Sequence, residues 1–326
     1  MRSNLSHIVQ RQATLKGPAI CSGVGLHSGE RIKLVMRPAP IGTGIVFIRT
    51  DIADRDNVIA AIPQNVTNVR NCTTIGNAAS VTVATIEHLM AALAAAGIDN
   101  LYVDIDGPEL PALDGSAEPF LKLIEQVGIT RQAAPRRYIK VLKRVEVRLP
   151  LNEGGAIAVV EPHHCLCLDV SIDFAEAAIG QQNVVIEPNV RTFRERLAAS
   201  RTFARLHEVA ALQDAGLSQG GSLDNVVVVD GDKVINPGGL RFDDEFVRHK
   251  ALDLLGDLYV GGPLLGKVTT SKSGHALNHA LLTALFSDPQ AWRFAVMSDS
   301  AAGDAGHNYD QFVTHPTASI LEDATA

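Results

Sequence analysis

The run Phe246-Val-Arg-His-Lys-Ala-Leu-Asp-Leu-Leu-Gly-Asp-Leu-Tyr259 places His249, Asp253 and Asp257 at i, i+4 and i+8. On a helix of 3.6 residues per turn those three side chains share one stripe, opposite a wide face of Leu252, Leu254, Leu255, Leu258 and Tyr259. A solvated charged stripe is the commoner fate of such residues. Two carboxylates one turn apart repel by a few tenths of a kcal/mol, however, and only His249 and Lys250 answer them on this helix. A bound cation would answer them better: His-x-x-x-Asp aims one nitrogen and one oxygen at the same point, as zinc and its first-row neighbours accept.

The size and charge of the chain narrow the options. With 326 residues, 46% of them hydrophobic, there is enough apolar material for two buried cores. A formal net charge of −7 leaves no basic stripe for phosphates, so no nucleic-acid partner is expected. The four cysteines, Cys21, Cys72, Cys165 and Cys167, follow no zinc-ribbon spacing and are too few to staple the chain, which fits a reducing cytoplasm. Cys165 and Cys167 lie in an alternating segment and read as buried strand cysteines rather than a metal pair. Met1 to His7 has no apolar signal-peptide core, and no apolar run approaches a membrane span, so neither export nor a transmembrane segment is expected.

Taken in order, strands are expected at 31–36, 44–49 and 80–83. Gly23, Gly25 and Gly29 precede a strand and not a helix, so they read as turn glycines and not a dinucleotide loop. Thr85 to Gly97 reads as a helix, with Thr85 as N-cap and Gly97 as its stop. Its first turn carries Glu87 and His88 in an otherwise apolar, alanine-rich segment, where a capping role for Glu87 is the plain alternative to a functional one. A strand at 101–105, a turn-rich loop at 106–115 and a helix at 116–127 complete this half. The stretch 130–137 shows no apolar period and reads as a linker. Beyond it come strands at about 138–149, 155–161 and 165–174, a helix around 206–215, and the run Val226-Val-Val-Val229. The opening helix, a strand at 264–270, a helix at 275–286 and a strand at 292–297 follow. Residues 299–326 read as a loose, acidic tail.

The two halves echo each other. Glu87-His-Leu-Met-Ala-Ala-Leu93 runs on to Leu101-Tyr-Val and Gly107-Pro, and Arg248-His-Lys-Ala-Leu-Asp-Leu-Leu255 runs on to Leu258-Tyr-Val and Gly262-Pro. The fold class expected is therefore α+β, with two similar domains at 1–130 and 137–298 that pack face to face. His88 and His249 then occupy corresponding places at one cleft. With Asp253 they make two imidazoles and a carboxylate, the ligand number of a catalytic zinc that keeps a position for water. Glu87, beside one ligand, is placed to act as a base. No His-Glu-x-x-His is present, so this is not a zincin.

Thr85-Ile-Glu-His-Leu, Arg201-Thr-Phe203, Phe246-Val-Arg-His-Lys-x-x-Asp253 and Ser273-Gly-His-Ala-Leu-Asn278 together resemble the UDP-3-O-acyl-N-acetylglucosamine deacetylases, zinc amidases of lipid A biosynthesis. The resemblance runs from about residue 8 to 298. It implies two small mixed or antiparallel sheets, each with two helices, the helices packed between the sheets. It implies His88, His249 and Asp253 as Zn2+ ligands, Glu87 as general base, and His275 as the cation that stabilises the oxyanion and protonates the leaving amine. Asp257 would hold the His275 ring, Thr202 would donate to the oxyanion and Lys250 would meet the polar substrate. An insert at about 203–222 would wall a passage for the acyl chain, drawing on Phe203, Leu212, Gly221 and Ser222, and Cys72 would approach the metal without ligating it. Leu223 stands where the family commonly has an aromatic, which bears on the width of that passage. The activity implied is hydrolysis of the 2-acetamido group of UDP-3-O-(3-hydroxyacyl)-N-acetylglucosamine, the committed step of the pathway in a Gram-negative cytoplasm, by a monomer.

Two rivals remain at this level. Another zinc amidohydrolase of N-acyl sugars would keep the metal set without the apolar insert. A non-catalytic sugar-nucleotide-binding protein would hold zinc in a closed, four-ligand site. His279, at i+4 from His275, is a further possible metal ligand, whereas His163, His164, His207, His307 and His315 read as surface or loop histidines.

Overall fold

The structure, a computed structural model, describes residues 8–150 and 155–299. The expected tail from residue 300 onward, with His307 and His315, lies outside those residues. In chain order the helices are α1 (Glu87–Ala96), α2 (Glu118–Val127), α3 (Val190–Arg196), α4 (Leu206–Asp214), α5 (Glu245–Tyr259) and α6 (His275–Ser287).

The first half is a five-stranded sheet in the order Ala19–Val24, Arg31–Pro38, Leu101–Ile105, Ile45–Arg49 and Val58–Ala60. Its pairs are antiparallel except that Leu101–Ile105 runs parallel to Ile45–Arg49. The alternation of Arg31–Pro38 explains its place: Ile32, Leu34 and Met36 are buried while Arg31 and Lys33 face water. The second half is a seven-stranded mixed sheet built around Leu264–Ser271, which pairs with Ile157–Glu161, Tyr138–Val141 and Leu166–Asp173. The fold is α+β, as expected, with α1 and α2 belonging to the first sheet and α5 and α6 to the second. α1 packs directly on α5, so helices from both halves meet in the middle, and one continuous apolar core spans them.

The α1–α5 contact is a backbone contact. A Cβ placed on Gly256 would sit 2.0 Å from the carbonyl oxygen of Glu87. Alanines 91 and 92 complete a small-residue face on α1, fully buried. As a result α5 is enclosed on every side, and the polar stripe is not solvated: His249 and Asp253 are each 2% exposed and Asp257 is 0% exposed.

Several expectations are corrected. The stretch 130–137 is no linker, because Ile129–Pro135 is a strand paired antiparallel with Arg11–Leu15, with a register shift between Arg131 and Pro135. Its polar side chains face water and its partner lies over 110 residues away, so neither periodicity nor local sequence announces it. Arg136 follows at once and ties the halves together, donating from Nε to Asp99 at 2.8 Å and from its terminal nitrogen to the Tyr259 hydroxyl at 3.1 Å. Thr85 does not cap α1; it has φ +58° and its hydroxyl donates to Glu109. Gly97 does end α1, in the left-handed region at φ +69°. Cys165 precedes the strand Leu166–Asp173 and lies in a turn, half-buried, while Cys167 is buried in the strand. The strand Gln181–Ile186 and helix α3, the latter opened by a capping box between Asn189 and Thr192, are additions to the reading.

Gly256→Ala is expected to push α5 off α1 and to lower stability by about 2–4 kcal/mol, because the clash is with backbone that cannot rotate away. Urea unfolding of parent and variant checks it; an unchanged midpoint would mean the helices can separate at no cost.

Candidate active site

The cleft between the halves has a volume of about 200 Å³ and is lined by α1, α5, the start of α6 and the segment 202–204. Glu87 and His88 enter from the first turn of α1, His249, Lys250 and Asp253 from α5, and His275 from the first residue of α6. Thr202, Phe203 and Leu212 also line it. Gly221 and Ser222 do not: they lie in an exposed loop whose neighbour Gly220 donates to the Leu26 carbonyl. Cys72 is buried behind the lining beside Glu87, and burial, then Glu87, push its thiol up to about 12, so it stays protonated.

His88, His249 and Asp253 converge, with one ligand atom from each within 4.8 Å of the others. His249 Nε2 lies 3.3 Å and His88 Nε2 3.6 Å from Asp253 Oδ1. These are not ordinary ion pairs. His249 Nδ1 donates its proton to the Ser200 carbonyl at 3.0 Å, and burial lowers the ring to about 4 despite Asp253, so at neutral pH Nε2 carries a lone pair. Burial works against the Asp253 carboxylate, yet His249 and Lys250 hold it well below the ordinary carboxylate range. Its Oδ2 accepts from Lys250 Nζ at 2.9 Å, whereas Oδ1 is buried with no hydrogen-bond partner among the described residues. Acceptor therefore faces acceptor. Nitrogen and oxygen ligands at about 2.0–2.1 Å from a tetrahedral ion stand about 3.3–3.4 Å apart, so these residues fit a zinc-like cation in donor type, charge and spacing.

A second cluster adjoins it. Asp257 accepts from His275 Nδ1 at 2.8 Å, from Asn278 at 2.8 Å and from the Thr73 hydroxyl at 2.6 Å, with His279 Nε2 at 3.4 Å. Burial opposes its charge, but His275 and His279 lower it below the ordinary carboxylate value. Burial likewise opposes the His275 cation, and Asp257, then Glu87 and Asp253, outweigh it and raise the ring to about 9. Glu87 moves up, driven by burial and only partly countered by His275, whose Nε2 is 3.9 Å from its Oε1. The backbone N–H of Thr73, just before the strand Thr74–Gly76, donates to Glu87 Oε2 at 3.1 Å, so Glu87 is held by another segment and does not cap its helix.

Thr73 thus bridges Glu87 and Asp257, and nothing in its local sequence marks it. His279 joins the same carboxylate, while His27 lines the cleft with a buried, unpartnered Nε2. The Gly25-Leu-His27 turn is the signal that could have pointed to His27. It is pinned by Glu109, which accepts from the backbone N–H groups of His27 and Ser28. The segment carrying Thr202 and Phe203 is pinned by Arg201, whose guanidinium and backbone N–H both donate to Glu245 at the start of α5.

Two helix-bearing α+β halves close around a buried cluster of two histidines and a carboxylate that could hold a metal ion, with a second carboxylate and a charged histidine beside it, the kind of arrangement metal-dependent hydrolases use. The profile of the UDP-3-O-acyl N-acetylglycosamine deacetylase family (LpxC) matches residues 12–287. Proteins named UDP-3-O-acyl-N-acetylglucosamine deacetylase are similar along nearly their whole length. The one from Phenylobacterium zucineum is 48% identical over 292 residues, 89% of this chain and 98% of its own. That from Chromobacterium violaceum is 44% identical over 88% and 94% of the two chains, and that from Tolumonas auensis 42% over 90% and 95%. The chain belongs to this deacetylase family, whose members are amide hydrolases. No helix among the described residues is long and apolar enough to cross a membrane.

The His275 titration can be read directly. In metal-free protein its ring is expected to titrate near 9 by NMR, and Asp257→Asn to move it back toward or below the ordinary 6.5, since burial then loses its main opponent. Because the folded value is raised, His275 stabilises the metal-free fold fully below about pH 6.5, and this contribution fades as pH rises through about 9. A His275 resonance unmoved in Asp257→Asn would remove the pairing from the account.

Proposed function

We propose that this cleft hydrolyses the 2-acetamido group of UDP-3-O-(3-hydroxyacyl)-N-acetylglucosamine to acetate and a free amine, with Zn2+ held by His88, His249 and Asp253. The observation that carries the reading is the buried Asp253 Oδ1, facing the unprotonated His249 Nε2 with no donor between them. A zinc ion held by these residues would supply Lewis acidity, lowering the pKa of a water and polarising the acetamide carbonyl.

The chain's own residues do the remaining work. Glu87, raised by burial toward the pH at which a base is most effective, takes the proton of the attacking water. Its Oε2 stays bonded to the Thr73 N–H, which leaves Oε1 for that proton. His275 enters as the cation with Nδ1 bonded to Asp257, and its Nε2–H can first donate to the oxyanion and then pass to the departing nitrogen. The Thr202 hydroxyl is a second donor to the oxyanion; its backbone N–H is already bonded to Gly115. The step balances: the water's hydroxyl joins the acetyl carbon while its proton goes to Glu87, the His275 proton goes to the amine as the C–N bond breaks, and Glu87, with Oε1 3.9 Å from His275 Nε2, returns its proton to restore the imidazolium. Lys250, held by Asp253 and 5.5 Å from the centre of the Phe203 ring, offers its remaining N–H groups to the polar part of the substrate. Phe203 and Leu212, with Leu26 and Val226, give the cleft an apolar side suited to an acyl chain.

Acetate release from UDP-3-O-acyl-N-acetylglucosamine, followed by mass spectrometry with and without a chelator, tests the whole reading; turnover untouched by exhaustive chelation would sink it. His249→Ala is expected to lose the cleft's metal and activity together, whereas Glu87→Ala should keep the parental zinc content and lose turnover by ~10²-fold or more. A Glu87 variant with near-parental kcat would exclude it as the base.

The pH dependence of kcat/KM is expected to be bell-shaped. Activity falls on the acid side as Glu87 is protonated and on the basic side as His275 loses its proton, at or below about 9 because a bound cation lowers it. His275→Gln should flatten the basic limb and depress the plateau. A basic limb that stays put in that variant would assign the ionisation to another group.

A further inference from the structure

The turn joining Ile157–Glu161 to Leu166–Asp173 carries His163, His164 and Cys165 in succession, and one ligand atom from each lies within 4.8 Å of the others. None of the three lines the catalytic cleft. His163 Nδ1 stands 3.6 Å from Cys165 Sγ, and the two imidazole rings lie over one another with centroids 4.2 Å apart. A tetrahedral zinc with Zn–S near 2.3 Å and Zn–N near 2.0–2.1 Å holds its sulfur and nitrogen ligands about 3.5–3.6 Å apart, so the spacing is that of a ligand pair. Three protein donors with water in the fourth position would complete a tetrahedral set. His163 and Cys165 are half-buried on a turn anchored by strands at both ends, so little order remains to be imposed.

We propose that His163, His164 and Cys165 form a second metal site, for a borderline-to-soft transition ion of the Zn2+ class, separate from the catalytic cluster. A thiolate in the donor set makes it softer than two imidazoles and an aspartate, and so biased toward thiophilic ions. On binding, the Cys165 thiol gives its proton to solvent and the sulfur pair goes to the metal. The Nδ1 proton of His163, now donated to the Cys165 carbonyl at 3.1 Å, moves to Nε2 by tautomerisation. No electron changes hands. The bound ion would fix this turn at the rim of a cavity of about 260 Å³ that Cys165 helps to line.

Cobalt(II) distinguishes the two sites, because only a thiolate ligand produces sulfur-to-cobalt charge transfer in the near ultraviolet. Metal-free protein titrated with Co2+ is expected to develop that band, Cys165→Ser to lose it, and His163→Ala to weaken the binding at least tenfold, with deacetylase activity of the zinc-loaded enzyme unchanged in both variants. In the parent, Zn2+ should also protect Cys165 from iodoacetamide, read by peptide mass spectrometry, which needs no variant to fold. No band at Co2+ excess, a band that survives in Cys165→Ser, or alkylation of Cys165 indifferent to zinc each overturns the proposal. None of these readouts depends on the catalytic assignment.

Discussion

The site exists because two helix backbones touch. At Gly256 the absence of a side chain lets α5 lie against the first turn of α1, close enough that a single methyl would meet the Glu87 carbonyl at 2.0 Å. That contact carries Glu87 and His88 onto the stripe of His249, Asp253 and Asp257. It also seals the stripe from water, which turns a set of surface charges into a buried site. The same closeness makes the two sheets one body, since the apolar faces of both halves share one core.

Sealing the stripe has an electrostatic consequence. Three carboxylates, Glu87, Asp253 and Asp257, are buried within one cleft, and each is settled differently. Asp257 is surrounded by donors and stays ionised; Asp253 is half satisfied by Lys250 and leaves one oxygen facing lone pairs; Glu87 has one backbone donor and is pushed up. Burial of like groups in unlike surroundings is how one cleft can hold, at the same pH, the three different roles proposed for Asp253, Asp257 and Glu87. His275 is the counterpart, a buried imidazole kept charged by its neighbours, while His249 is a buried imidazole kept neutral.

Loops supply what the helices cannot. Thr73 fixes the relation between Glu87 and Asp257, Glu109 ties the Gly25–Ser28 turn and Thr85 to the cleft wall, and Glu245 holds the Arg201 segment so that the Ser200 carbonyl reaches His249. Each is a buried carboxylate or hydroxyl that serves two elements at once. Such groups are costly to bury unless fully bonded, so the loops they hold have little freedom to move.

Much of the protein is legible from residues close together in the chain. The 3.6-residue spacing of α5, the alternation of Arg31–Pro38 and the glycine stop of α1 announce their elements. His249 and Asp253 could be paired because i, i+4 geometry is a property of the helix alone. Other features required the tertiary structure. The strand Ile129–Pro135 exists through a partner more than 110 residues away, Thr73 acquires its role only when its loop meets α1 and α5, and Asp253 Oδ1 becomes an orphan only once water is excluded. Local sequence determines which surfaces a segment can offer, because dihedral preference and side-chain period are short-range; which surfaces meet, and hence which charges are buried together, is decided by packing across the whole chain.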